Sequence, residues 1–134
     1  MSQNTSEKKY NVLYVDDQKI NLLVFEETYK SDYNVFTALS GKEGLEILNR
    51  EKMDLIVSDQ AMPEMTGVEF LLEVLKVQPE PNRILLTAYS DIKALSEAVN
   101  KAKIYNYVRK PWTKEELAII FEKAINEYKL REQN

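Results

Sequence analysis

Short apolar segments alternate with longer amphipathic segments five times along the chain. The apolar segments are rich in β-branched and aromatic side chains, and the middle ones do not alternate with polar residues, which is typical of strands buried on both faces. Segments 33–38 and 105–108 are less uniformly apolar, so we expect them at the edges of a sheet. The five predicted strands are residues 10–15, 33–38, 55–58, 83–87 and 105–108.

The amphipathic segments between the predicted strands have the features of helices. Three of them begin with a capping box, in which a hydroxyl and a carboxylate three residues later satisfy free backbone amides. The last helix and the helix that follows Asp91 each place apolar residues on one face. The predicted boxes are Ser40 with Glu43, Thr66 with Glu69 and Thr113 with Glu116; the predicted apolar faces are Ile92, Leu95 and Val99, then Leu117, Ile120, Phe121, Ala124, Ile125 and Tyr128.

Five repeats of strand and helix predict an α/β fold, a doubly wound parallel sheet with right-handed crossovers and helices on both faces. The 134 residues suffice for one such domain, which we expect over residues 10–128. Residues 1–9 are polar and lack periodicity, which predicts a loose tail, and residues 129–134 predict a charged helical tail. Ligands of such folds bind beyond the carboxyl ends of the strands, where the strand order reverses.

Composition narrows the possible chemistry. The chain has no Cys and no His, which excludes disulfides, thiolate catalysis, zinc–thiolate sites and any role of histidine as a catalyst or ligand. The net charge of -4 gives no support for direct binding of nucleic acid. The longest apolar run, residues 117–121, is too short to cross a membrane, and we expect no secretory signal. The groups that remain available for catalysis or binding are carboxylates, hydroxyls, lysine and a hard metal ion.

Polar side chains follow four of the five predicted strands. Asp16 and Asp17 follow the first strand, Asp59 follows the third, Thr87 ends the fourth, and Lys110 follows the fifth. Each residue alone is common in a turn, a cap or a strand, but the carboxyl ends of parallel strands meet at one rim. Three carboxylates at one rim repel each other, so they need a lysine and a divalent cation as compensation. Oxygen ligands favour Mg²⁺, Mn²⁺ or Ca²⁺.

This combination of groups contains the parts needed for phosphoryl transfer. The cation neutralises charge, Lys110 and Thr87 can bind phosphoryl oxygens, and one carboxylate can act as the nucleophile.

At these residues the chain resembles the receiver domains of response regulators in two-component signal transduction. The similarity covers roughly residues 10–128 and includes all the motifs in the family's order and spacing. It implies a flavodoxin-like fold with five helices and a five-stranded sheet of order 2-1-3-4-5. The matching motifs are residues 13–17, 58–67, 85–88 and 107–112.

The resemblance implies a role for each residue of the site. Asp59 would be the phosphoacceptor. Asp16 and Asp17 would hold Mg²⁺ together with Asp59 and the backbone carbonyl of Ala61, with Asp17 as a direct ligand and Asp16 acting through water. Thr87 and Lys110 would bind the phosphoryl oxygens.

The resemblance also implies a conformational switch. Tyr107 would turn inward when Thr87 moves toward the phosphoryl group, and the peptide bond between Lys110 and Pro111 would be cis. The small Ala88, the absence of an acid or amide at Ala61 and the bulky Tyr89 predict slow to moderate dephosphorylation unless a partner assists.

The expected function is therefore a phosphorylation-dependent signalling switch and not a turnover enzyme. A sensor histidine kinase or a histidine phosphotransfer protein would donate the phosphoryl group. The last two helices and the fifth strand would then change and bind an effector or a second copy of the chain. The resemblance implies a cytoplasmic protein that binds neither nucleic acid nor membrane directly.

Three alternatives stay open at this point. A hydrolase with an aspartyl nucleophile usually has a second acid two residues later, where this chain has Ala61. A non-phosphorylated interaction module of the same fold is disfavoured by the intact set of site residues. A flavin-binding domain would need a loop rich in Ser, Thr and Gly after the first strand, where this chain has residues 16–19, Asp-Asp-Gln-Lys.

Overall fold

The computed structural model describes residues 8–88, 96 and 99–133. The five strands agree with the predicted ones to within one residue at each end. They are β1 Tyr10–Val15, β2 Tyr33–Ala38, β3 Leu55–Asp59, β4 Asn82–Thr87 and β5 Asn106–Arg109. The helices are α1 Lys19–Tyr29, α2 Gly41–Leu48, α3 Gly67–Val77 and α5 Lys114–Glu132, and residues 96 and 99–101 are the described part of a helix α4 between β4 and β5.

All strand pairs are parallel, and the order in the sheet is β2-β1-β3-β4-β5. The predicted fold class and the predicted edge strands, β2 and β5, are confirmed. The chain leaves β1 in one direction toward β2 and later returns on the other side to β3. The strand order therefore reverses beside β1, and Val15 at its end lies opposite Ser58 of β3.

Two apolar clusters cover the two faces of the sheet. Successive residues of a strand point to opposite faces, so each central strand contributes to both clusters. On one face Tyr14 and Val57 pack with Phe25 of α1 and Phe121 of α5. On the other face the core includes Val15, Leu13, Ile56 and Leu85 of the strands together with Phe70, Leu71 and Val74 of α3. This arrangement confirms helices on both faces of the sheet.

The predicted helix caps are confirmed in two cases and half confirmed in the third. The Thr66–Glu69 and Thr113–Glu116 pairs each form both bonds of a capping box. At α2 the Ser40 hydroxyl accepts a bond from the Glu43 amide as predicted. The Glu43 carboxylate, however, accepts from the amide of Leu39 at 3.0 Å and not from that of Ser40. The carboxylate thus satisfies the amide one residue further upstream.

Several sequence predictions fall on residues that the structure does not describe. Residues 1–7 of the predicted tail, Tyr89, and Ile92 and Leu95 of the predicted helix lie outside the described residues, whereas Val99 of that helix is helical. Residues 129–132 continue α5. In the part of the chain that is described, no helix combines the length and apolar character needed to span a membrane.

Candidate functional site

Three carboxylates meet at the carboxyl ends of β1 and β3. Asp59 is the last residue of β3, and Asp16 follows the end of β1. The register between these strands brings the two ends side by side. Oxygen atoms of Asp16, Asp17 and Asp59 all lie within 4.8 Å of one another. The structure therefore brings together the three acids that the sequence placed at one rim, and this acidic cluster could hold a metal ion.

Asp16 is held in place by three hydrogen bonds. Its carboxylate is buried and accepts bonds from the Tyr14 hydroxyl, from the Asn21 side-chain amide at 3.1 Å and from the Gln18 backbone amide at 2.9 Å. The sequence did not predict Tyr14 and Asn21 as partners of the site. The alternation of side chains along β1 was a usable signal, since it places Tyr14 on the same side as Asp16.

The environment of Asp59 disfavours the ionised form of its carboxyl group. It is 8% exposed, and burial together with the neighbouring charge of Asp16 raises the pKa of its carboxyl from 3.8 to about 6. The Lys110 ammonium and the Gln60 backbone amide oppose this change, whereas Asp17 adds to it. Desolvation and like charges both disfavour a carboxylate, so a bound cation would favour the ionised form of Asp59.

The loop that follows β3 is closed by hydrogen bonds around Gln60. The Gln60 side-chain carbonyl accepts from the amide of Val68 at 2.9 Å, and its backbone carbonyl accepts from the amide of Gly67 at 3.1 Å. Both donors lie in the first turn of α3. These bonds connect the loop to the start of the helix, and Ala61, two residues after Asp59, is exposed within the loop.

The ends of β4 and β5 bring Thr87 and Lys110 to the same rim. Thr87 is fully buried and lies opposite Arg109 of β5. The Lys110 amide donates to the Thr87 carbonyl at 3.0 Å, and the peptide bond between Lys110 and Pro111 is cis, as the resemblance implied. This hydrogen bond fixes the position of the Lys110 backbone, from which the side chain extends.

The ammonium of Lys110 lies 5.8 Å from the centroid of the Trp112 ring. Among the described residues, no carboxylate forms an ion pair with it. Its charge nevertheless opposes the raised pKa of Asp59. The sequence did not predict this contact between Trp112 and the Lys110 ammonium.

Tyr107 is 39% exposed on the edge strand β5. Tyr105, two residues before Tyr107, is less exposed and donates a hydrogen bond from its hydroxyl to Glu127 of α5 at 2.8 Å. Tyr105 thus joins the edge of the sheet to α5, whereas Tyr107 lies at the surface.

Comparison with known proteins agrees with this architecture. The family model of the response regulator receiver domain matches residues 12–122. The hydrogenase transcriptional regulatory protein HoxA of Cupriavidus necator is 37% identical over 120 residues, covering 90% of this chain and 25% of HoxA. The sporulation initiation phosphotransferase F of Bacillus subtilis is 30% identical over 99 residues, covering 73% of this chain and 80% of that protein. The signal receiver domain of an HD domain-containing protein from Pseudomonas fluorescens has a TM-score of 0.84 and 29% identity, covering 90% of this chain and 98% of that one.

The order of the strands in the sheet is that of a CheY-like receiver domain. The chain belongs to the response regulator receiver domain family of two-component signalling, and the resemblance stated from its motifs is confirmed. It spans about a quarter of the length of the first curated relatives it matches, 25% and 28%.

Proposed function

We propose that this domain is a phosphorylation-dependent switch that accepts a phosphoryl group on Asp59. The observation that carries the proposal is the convergence of Asp16, Asp17 and Asp59 at the switch point of the sheet. Thr87 and Lys110 reach the same rim on the neighbouring strands. Family membership supports a signalling role that depends on phosphorylation.

The acidic cluster fits a hard divalent cation, and we propose Mg²⁺. Its donors are all oxygen atoms, which excludes a preference for softer metals. Asp17, Asp59 and the backbone carbonyl of Ala61 would hold the ion directly. Asp16 would bind it through a water molecule. When bound, the ion neutralises the charge that three carboxylates and an incoming phosphoryl group bring together. The raised pKa of Asp59 without a cation supports this need for positive charge.

Asp59 and Lys110 have different roles in the transfer of the phosphoryl group. One Asp59 oxygen forms the bond to phosphorus while the bond from phosphorus to the leaving atom breaks. The leaving atom is a histidine nitrogen of a protein donor or the carboxylate oxygen of a small acyl phosphate. This chain has no His, so the donor is a sensor histidine kinase, a histidine phosphotransfer protein or a small acyl phosphate. The Lys110 ammonium moves from Trp112 to a phosphoryl oxygen, since an anion attracts it more strongly than an aromatic ring does.

The switch follows from contacts that exist only after transfer. The Thr87 hydroxyl and the Lys110 ammonium bind phosphoryl oxygens, so the phosphorylated domain favours the conformation in which both reach Asp59. Movement of Thr87 leaves space into which Tyr107 turns from the surface. The face formed by α4, β5 and α5 thereby changes and binds an effector or a second copy of the chain. The domain catalyses its own phosphorylation and slow dephosphorylation without turning over a substrate.

Intact mass spectrometry after incubation with acetyl phosphate and Mg²⁺ tests the proposal. We expect one phosphoryl adduct in the unchanged protein and none in Asp59→Asn or in the presence of a chelator. Asp54→Asn is the matched control, because Asp54 is equally buried but accepts a hydrogen bond from the backbone amide of Asn11 at the opposite end of β1. An adduct in Asp59→Asn would contradict the site. If neither acetyl phosphate nor a beryllofluoride titration gave a response, a non-phosphorylated interaction module would replace the proposal.

A further inference from the structure

We propose that Tyr14 is a positioning residue for the cation site, in that its hydroxyl fixes the carboxylate of Asp16. This inference rests on the proposed function and adds to it a residue from the core of the domain. Tyr14 lies on β1, two residues before Asp16, and donates its hydroxyl proton to Oδ2 of that carboxylate.

The Tyr14 ring is held rigidly by its surroundings. It is 5% exposed and stacks on Phe25 of α1, with 4.3 Å between the ring centroids and 21° between the planes. Phe25 in turn packs against Tyr29 and Phe121. A ring fixed by this aromatic cluster presents its hydroxyl at one position, so the hydrogen bond restrains the Asp16 carboxylate and not the reverse.

The bonds to Asp16 leave it little capacity to bind a cation directly. An ionised carboxylate offers about four acceptor sites. Tyr14 and Asn21 occupy two sites on Oδ2, and the Gln18 amide occupies one on Oδ1. No described residue donates a hydrogen bond to Asp17, whose side chain is half-buried. Asp16 is therefore placed to act on the cation through water and not as a direct ligand, whereas Asp17 is available as a direct ligand.

Packing alone does not require a hydroxyl at position 14. The other buried side chains of this cluster on β1 and β3 are Val12, Leu55 and Val57, all aliphatic. Phenylalanine at position 14 would fill the same space as tyrosine. A buried hydroxyl is costly without a partner, and the Tyr14 hydroxyl reaches its partner where the apolar core meets the acidic cluster. The side chain is therefore part of the core through its ring and part of the site through its oxygen.

Replacement by Tyr14→Phe keeps the stacked ring and removes the donor. Asp16 then loses one of three restraints. Mutation of a residue in the shell behind the metal ligands, where Asp16 lies, typically lowers metal affinity by about 10- to 100-fold. Tyr14 acts one hydrogen bond further from the ion, so the lower end of this range applies. We expect the Kd for Mg²⁺ to rise by about tenfold. The Mg²⁺ concentration needed for half-maximal phosphorylation should rise in parallel.

The test compares Mg²⁺ titrations by calorimetry for the unchanged protein, Tyr14→Phe and Tyr29→Phe. Tyr29 is the matched control, since it is an equally buried phenol in the same aromatic cluster but donates its hydroxyl proton to the backbone carbonyl of Lys114 at 3.1 Å. Thermal unfolding in chelator verifies that both variants fold. Asn21→Ala, which removes the other donor to the same oxygen, should also weaken Mg²⁺ binding.

Weaker Mg²⁺ binding in Tyr14→Phe with unchanged binding in Tyr29→Phe supports the inference. Equal Kd values for Tyr14→Phe and the unchanged protein would overturn it and leave the proposed function standing, and so would an equal loss in both variants. Absence of Mg²⁺ binding by the unchanged protein would overturn the inference together with the proposed cation site.

Discussion

A methyl group on Gly67 would overlap the backbone carbonyl oxygen of Asp59. Gly67 is the first residue of α3, and its amide donates to the carbonyl of Gln60, the residue after Asp59. The two backbones are in contact because the loop between them folds back onto the end of β3. The position of the acid at the centre of the site therefore depends on the absence of a side chain at the start of the next helix.

Gly67→Ala should destabilise the domain by about 1–3 kcal/mol, the usual cost of overpacking a closed interior. The overlap is with backbone, which cannot rotate away. Gly41→Ala is the control, since a methyl group there would meet the flexible side-chain sulfur of Met65, and it should cost less. Chemical denaturation measures both values. Equal stability of Gly67→Ala and the unchanged protein would show that the loop relaxes freely.

The raised pKa of Asp59 predicts how the stability of the domain depends on pH when no cation is bound. Its folded pKa of about 6 lies above the value of 3.8 for the free side chain, so the folded state binds this proton more tightly. The resulting stabilisation is fully present below about pH 4 and is lost as the pH rises through about 6. One pKa unit corresponds to about 1.4 kcal/mol, so the total is about 2–3 kcal/mol.

This pH dependence is measured as the difference in unfolding free energy between the unchanged protein and Asp59→Asn, both in chelator. The variant should become the more stable of the two as the pH rises from about 4 to about 8. Saturating Mg²⁺ should reduce the difference, because a cation that binds the ionised cluster stabilises the folded state. Parallel pH profiles would indicate that Asp59 has an ordinary pKa in the folded protein.

Lys110→Ala should separate phosphorylation from the conformational change. The variant keeps all three carboxylates, so Mg²⁺ binding should persist, but it lacks the ammonium that would bind the phosphoryl oxygen. The ¹⁹F signal of fluorotyrosine-labelled Tyr107, assigned with Tyr107→Phe, should shift on beryllofluoride addition in the unchanged protein and stay in place in Lys110→Ala. A full shift in the variant would assign the coupling to Thr87 alone.

Most of the fold could be predicted because its signals are local. Continuous apolar segments identified the central strands, and the mixed segments 33–38 and 105–108 identified the edges that the sheet order confirms. The hydroxyl and carboxylate pairs at Thr66 and Thr113 located two helix starts, since a capping box involves only four consecutive residues. The same rule was half wrong at Ser40, because the choice between two adjacent amides depends on how the chain enters the helix.

The site was predictable only as a set of acids, a hydroxyl and a lysine at one rim. The carboxyl ends of parallel strands meet there whatever the details of packing, so the convergence of Asp16, Asp17 and Asp59 followed from their positions after the strands. The partners of Asp16 were not predictable in this way. Asn21 reaches it from α1 and Tyr14 from the core, and both contacts depend on the distance between helix and sheet.

The amino-acid sequence by itself therefore determined the order and type of the elements and the chemistry at the strand ends, because periodicity, caps and strand ends depend on neighbours along the chain. Only the tertiary structure decided which side chains restrain that chemistry. Arg83 illustrates the difference. The sequence predicts it as the first residue of a strand, yet it is 6% exposed and donates from its guanidinium to the carbonyls of Pro79, Pro81, Ala102 and Lys103. Such contacts are set by distances between separate elements, which a linear pattern does not contain.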